Sequence, residues 1–206
     1  MRGKVGFLTY GFLGFYLLIT GGPFLWLFLT SLKSSREIFL SPFALPKDPT
    51  LVNFSNAWQV GRFQDYFLNS IGLTSATVIV TLVLSAPAAY ALARFHFKGR
   101  DFISFYFMSG LMIPIQLAVV PLFFEMKALG LLNTRCGLFL VYLATSLPFA
   151  IFLLIGFFKS LPGSLREAGL LEGAGEWTIF LKIFLPLARP GLATVAIITF
   201  LGVWNE

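Results

Sequence analysis

Residues 167–190 read EAGLLEGAGEWTIFLKIFLPLARP. They lie between two strongly apolar runs, YLATSLPFAIFLLIGFF at 142–158 and GLATVAIITFLGVW at 191–204. The stretch nevertheless carries Glu167, Glu172, Glu176, Lys182 and Arg189. Its approach, LPGSLREAG (161–169), places Ser164 and Glu167 at the S-x-x-E spacing of a capping box, in which each side chain satisfies the other's backbone N–H. That predicts a short helix from Leu165 to about Glu172, with Gly173 supplying the left-handed turn that ends it. A second helical stretch is expected from Glu176 to about Leu185, with Trp177, Phe180, Leu181 and Phe184 on one face at 3-and-4 spacing. Pro186 and Pro190 then punctuate the return to apolar sequence. The residues therefore predict a helix–turn–helix hairpin at a membrane surface. Spacing alone fits equally well a plain amphipathic connection between two spans.

Composition places the rest of the chain in lipid. Of 206 residues, 57% are hydrophobic and 12% charged, against about 25% charged in a soluble domain. With 25 phenylalanines and a mean hydropathy of +0.85, the chain has too little polar surface to cover a soluble globule. Its net charge of +6 comes from basic residues placed between apolar runs, not gathered into a stripe, which argues for membrane topology over nucleic acid. The single cysteine, Cys136, excludes an internal disulfide and any multi-cysteine metal site. The single histidine, His96, sits in a short basic loop with nothing nearby to complete a ligand set. No phosphate-binding G-x-x-x-x-G-K-[ST] loop is present, and one histidine gives no basis for a Ser/His/Asp set.

A helix needs about 20 apolar residues to cross about 30 Å of hydrocarbon. Five stretches approach this: 5–32, broken by Gly21-Gly22-Pro23; 70–93, with Pro87; 102–124, with Pro114 and Pro121; 136–158, with Pro148; and a fifth beginning near Gly191. The fold class expected is an all-α polytopic membrane bundle. The first stretch has the basic start of a signal peptide in Arg2 and Lys4, but it is long and no A-x-A-like site follows, so a retained span is expected. With the N-terminus in the cytoplasm, nine basic residues fall inside (Arg2, Lys4, Arg94, Lys98, Arg100, Lys159, Arg166, Lys182, Arg189). Six fall outside (Lys33, Arg36, Lys47, Arg62, Lys127, Arg135). The positive-inside rule favours this orientation, with RFHFKGRD (94–101) as its clearest marker. Residues 33–68, with Pro42, Pro46 and Pro49, read as an extended outer connection ending in an amphipathic stretch around 54–67.

The hairpin resembles the EAA loop of ATP-binding cassette (ABC) importer permeases, whose pattern is E-A-A, three residues, G, nine residues, I-x-L-P. Glu167 and Ala168 stand at its first two places, and Gly173, Ile183, Leu185 and Pro186 at the required spacings. Gly169 replaces the third-place alanine, and Glu172-Gly173-Ala174 stands where sugar-type members show Asp-Gly-Ala. TSLKSSREIF (30–39), NFSNAW (53–58), LNSIGLT (68–74), AAYALARFHFKGRD (88–101), MIPIQLAVVPLF (112–123), LGLLNT (129–134) and Trp204-Asn205-Glu206 resemble the sugar branch, specifically its maltose G-type partner.

The resemblance implies a type I importer permease of the bacterial or archaeal cytoplasmic membrane, with no cofactor of its own. It implies that residues 159–190 dock on a separate ATPase subunit. Further partners implied are a second permease, two ATPase subunits in all, and an extracytoplasmic solute-binding protein. Glu167 then either pairs with a basic residue of the ATPase or serves its own cap. The Gly169 departure is expected to add slight flexibility, at most about 1 kcal/mol relative to alanine. Family members have six spans, so this chain is expected to be a truncated piece of one permease domain: from Gly191 to Glu206 is only about 24 Å of helix.

Polar and helix-breaking residues inside spans are candidates for a transport path. Pro114 with Gln116 is the sharpest pair, since proline frees a carbonyl near residue 110 and the amide both donates and accepts; a kinked helix whose amide bonds a neighbour is the alternative. Asn69 and Ser85 are weaker candidates. A sugar or polyol is the expected solute. A phosphorylated polyol, or a non-transporting scaffold that anchors a cytoplasmic partner, are the alternatives.

Overall fold

A computed structural model describes the backbone of residues 2–206 and the side chains of residues 9–206; the side chains of Arg2 and Lys4 lie outside the described residues. All regular elements among the described residues are helices. It divides into two compact units, residues 1–68 and 69–206.

In the first unit, α1 (Arg2–Ser31) is one continuous helix. Gly21-Gly22-Pro23 was expected to break it. Proline costs one i→i−4 bond and the helix runs on through Pro23, as apolar helices in lipid tolerate. None of its described residues in the span 9–31 is buried, and most are exposed, which suits a helix facing lipid. Two short helices follow, α2 (Ser35–Leu40), capped by the Ser34 hydroxyl accepting from Glu37 N–H, and α3 (Val52–Gln59).

The connection at 33–68 is not simply extended. Lys33, 1% exposed, donates its ammonium to the carbonyls of Ser41 (2.9 Å) and Pro42 (3.1 Å). The Asn53 amide donates to the carbonyls of Ser31 and Lys33, and Trp26 Nε1 donates to Pro42 while its ring stacks on Phe43. The prolines do prevent one long helix, but a buried cation gathers the loop's orphan carbonyls and folds it back along α1. The amphipathic stretch expected at 54–67 is likewise divided. α3 ends at Gln59, Arg62 turns with a left-handed φ of 52° and pairs with Asp65, and α4 (Phe63–Arg94) has already begun.

The second unit continues α4 and adds α5 (Arg100–Met112), α6 (Ile115–Ala128) and α7 (Arg135–Ser160). The hairpin helices α8 (Ser164–Leu171) and α9 (Glu176–Ile179) come next, then a π-helical turn (Phe180–Phe184), α10 (Leu185–Leu187) and α11 (Arg189–Trp204). Three helices are long and apolar enough to cross a bilayer, and five spans result if each of two bent pairs counts as one. The stretch 102–124 is not one straight span. Residues 113–114 leave the helix and the axis bends by 104° between α5 and α6, because proline cannot donate and pushes Ile113 to the extended ψ of 113°. The fifth stretch lies within the single helix α11, and a 71° bend separates it from the preceding 176–187.

α5 and α7 approach closely at Gly110, where an added Cβ would meet the Pro148 ring at 3.0 Å. At Gly191 an added Cβ would lie 2.6 Å from the Phe157 ring, so glycine lets the start of α11 pack on α7. The core gathers Ala86, Ala89 and Tyr90 of α4, Ile151, Leu154 and Phe158 of α7, and Ile179, Phe180 and Phe184 of the hairpin. It is thus built at one end of the bundle, where the hairpin joins the helices.

Candidate functional site

The site begins with two helix ends. The last turn of α7 leaves carbonyls without intrahelical partners. Arg94, the last residue of α4, reaches across and donates through Nη2 to the carbonyls of Phe158 and Leu161. Its guanidinium also lies over the Phe184 ring, 4.8 Å from the centroid. One side chain therefore joins α4, α7 and the hairpin. Arg100 Nε closes the loop below by donating to Leu92 O at 2.8 Å. The sequence marked Arg94 only as a topological charge; its position at a helix terminus two residues before His96 gave no sign of which carbonyls it would meet. His96 itself is exposed, and among the described residues no group of three or more His, Cys, Asp and Glu side chains is placed to hold a metal.

α8 starts at Ser164, one residue earlier than expected, with Gly163 as its N-cap and no side-chain capping bond. The capping box therefore does not form. The first turn is held by backbone instead, with Arg166 N–H and Glu167 N–H both bonded to Gly163 O. Ser164 already lies inside the helix, where its hydroxyl no longer faces the N3 amide. Glu167 is exposed, as is Ala168, on the outward side of α8. The far end is a Schellman turn. Ala174 N–H bonds to Gly169 O and Gly173 N–H to Leu170 O, both at 3.0 Å, with Gly173 at φ +81°. The tip exposes Leu171 (89%), Glu172 and Gly173.

Gly169 is the main correction in the hairpin. It is buried, and an added Cβ would lie 2.9 Å from Ile179 Cγ1 and 3.1 Å from its Cδ1. The missing methyl is a packing feature: Ile179, fully buried, fills the space a third-place alanine would use. Gly169→Ala gains about 1 kcal/mol of helix propensity but meets an overpacking cost of about 1–3 kcal/mol. The expected outcome is a lowered thermal midpoint for Gly169→Ala, converted to a stabilising effect when made in an Ile179→Ala background. Additive effects in that double-mutant cycle would refute the packing reading.

The second arm differs from the expected amphipathic helix. The π turn at Phe180–Phe184 widens the helix by one residue, so Ile179, Phe180 and Phe184 turn inward while Trp177 (63%) and Leu181 (43%) face outward. Ile183 and Leu185 are half-buried against the core, and Pro186 follows in α10. Tyr90 is the hub: its ring lies 5.0 and 5.1 Å from Phe180 and Phe184 and 5.6 Å from Phe158. Arg166 and Glu176 form a two-point ion pair between the arms, with Nε–Oε2 at 3.1 Å, and Arg166 also covers the Phe95 ring at 5.3 Å. That bond to Glu176 holds the Arg166 guanidinium above its ordinary range, so it is charged at any accessible pH.

The candidates within the spans are not brought together. Pro114 is the N-cap of α6 and Gln116 is exposed one turn-start later; Asn69 is half-buried near the start of α4. An open cavity of about 520 Å³ lies between α6, α7 and α11, with Ile115, Tyr142, Thr145, Ser146, Thr199 and Glu206 among its lining, and neither Gln116 nor Asn69 in it. Ser85 belongs to a feature the sequence reading missed. Thr74, Thr77, Thr81 and Ser85 form one buried face of α4, and all but Thr77 lack a hydrogen-bond partner. Their 3-4-4 spacing was the signal.

This architecture is that of an all-α membrane protein, and the comparisons with known proteins give its family. The family described as "Binding-protein-dependent transport system inner membrane component" matches residues 82–206. The diacetylchitobiose uptake system permease protein NgcG of Streptomyces coelicolor is 48% identical over 184 residues, covering 89% of this chain and 61% of that protein. The trehalose transport system permease protein SugB of Mycobacterium tuberculosis is 36% identical, covering 89% of this chain and 67% of that protein. A chain in the crystal structure of a bacterial ABC transporter involved in import of the acidic polysaccharide alginate superposes with a TM-score of 0.89 at 27% identity, covering 98% of this chain and 71% of that one. The chain belongs to the binding-protein-dependent transport system inner membrane component family. Its long apolar helices fit the membrane setting that the family's description gives, and it spans about three fifths to two thirds of the length of these curated relatives.

Proposed function

We propose that this chain is the transmembrane permease subunit of an ATP-driven importer that moves a sugar or polyol inward by alternating access. The observation that carries the reading is the two-sidedness of the hairpin at 159–190. One side is buried against the ends of α4 and α7, and the other presents Glu167, Ala168, Leu171, Glu172 and Gly173 to a partner. A rigid knob with a fixed left-handed turn suits a connector that receives movement from an ATPase subunit. The N-terminus and the loop 94–101 are then cytoplasmic, and the partners are a second permease, two ATPase subunits and an extracytoplasmic solute-binding protein.

The names of the relatives support the solute class: diacetylchitobiose for one, trehalose for another. The path through the membrane involves the 104° break at Pro114, with Gln116 and Asn69 as candidate contacts. The test is uptake by proteoliposomes holding the full-length permease with its partner subunits. Labelled disaccharide is expected to accumulate only with ATP inside and the loaded binding protein outside. Accumulation of a phosphorylated polyol instead would overturn the solute class, and no uptake of either, with ATP turnover unaffected by the binding protein, would mark a scaffold.

A further inference from the structure

The close-packed apolar contacts under the hairpin hold it against the helices. Directional bonds add a link between its two arms and α4 that packing alone does not make. Glu176, at the start of the second arm, accepts from Arg166 of the first arm through two nitrogens, and its Oε2 lies 3.5 Å from the Tyr90 hydroxyl of α4. Arg166 is also pinned over Phe95, in the loop that follows α4. Two hairpin arms and one membrane helix therefore converge on a single carboxylate. The ion pair is only about a third exposed on either side, so it is screened less than a surface pair and its bidentate geometry adds direction to charge.

We propose that Glu176, with Arg166 and the Tyr90 hydroxyl, is a positioning clasp that makes the hairpin move with α4 as one body. This rests on the coupling role given to the hairpin above. Without the clasp, movement of the tip is absorbed between the arms and does not reach the helices. The predicted signature is uncoupling: ATP is hydrolysed but less solute crosses per ATP. A residue that serves only the fold lowers both together and leaves their ratio unchanged.

The experiment uses the full-length permease in its assembled transporter in proteoliposomes, reading solute imported per ATP hydrolysed. Arg166→Glu and Glu176→Arg each place like charges together. Each is expected to lower the ratio about tenfold, the factor that a charge-assisted hydrogen bond represents. The double variant restores opposite charges and is expected to recover the ratio to within about twofold. Tyr90→Phe keeps the ring packing and removes only the hydroxyl, so a smaller fall in the ratio with an unchanged thermal midpoint is expected. The clasp is overturned if the single reversals leave the ratio unchanged, or if the double variant fails to restore what they lose. A cysteine at Leu171 of the otherwise unchanged permease separates this from failure of the coupling reading. If it cross-links to the ATPase subunit, an unchanged ratio refutes the clasp alone; if it never does, both fall.

Discussion

Phe184→Ala is expected to lower the stability of the second unit by about 3–5 kcal/mol, the cost of emptying a fully buried phenylalanine site. Phe184 is 0% exposed, lies 5.1 Å from the Tyr90 ring, and supports the Arg94 guanidinium from below. Truncation thus opens a cavity and also removes the cation–π partner of the residue that ties α4 to α7. The fall should be read as a lower thermal midpoint of the purified permease and as early proteolytic cleavage within 159–190. Trp177→Ala provides the contrast. Trp177 is 63% exposed and meets the core through its ring contact with Phe180 at 5.2 Å, so its loss is expected to cost only about 1 kcal/mol. Equal effects at the two positions would mean that the π turn does not direct Phe184 inward.

That contrast also measures what the sequence could disclose. A 3.6-residue period placed Trp177, Phe180, Leu181 and Phe184 on one face, and for an unbroken α-helix the placement is correct. The π turn shifts the face by one residue, and no local propensity announces it; it is set by how Phe180 and Phe184 meet Tyr90 across the interface. Gly173 was legible because only its own backbone matters, and its φ of +81° is a local requirement. Gly169 was misjudged because its reason lies ten residues away in Ile179. The capping box failed in the same way: Ser164 and Glu167 have the right spacing, yet the chain enters the helix one residue sooner, at Gly163.

At larger scale the spans were legible because hydrocarbon imposes a length and a composition on any helix that crosses it. The bend at Pro114 was visible as a kink but not as a 104° break, since the angle depends on what α7 offers to α5 and α6. The loop after α1 was the least legible part. Its prolines forbid a long helix, but they say nothing of a lysine that folds inward to satisfy two carbonyls. Charges were read as topology markers throughout, a reading that gives them no structural part. For Lys33 and Arg94 it was incomplete, because each also bridges carbonyls that other segments leave unpaired.

Gly173→Trp is expected to abolish stimulation of ATP hydrolysis by the loaded binding protein and, with it, uptake, while the permease itself still folds. The argument turns on two facts about one residue. Its φ of +81° costs a non-glycine residue about 1–2 kcal/mol, a strain that one turn at an exposed tip can bear. An added Cβ there would meet nothing within 4 Å, and the turn is exposed, so the indole starts from open space at the tip. Whatever opposes it belongs to a partner. Overpacking a fitted contact costs typically about 1–3 kcal/mol, which is a factor of about 5–150 in a coupling equilibrium. Gly173→Asn isolates the backbone term, because asparagine tolerates the left-handed region with a much smaller side chain; it should retain most of the stimulation. If Trp and Asn variants are equally impaired, the turn alone matters. If both hydrolyse and import as the unsubstituted permease does, nothing docks at the tip, because a large ring cannot enter a close-fitting cleft without displacing something.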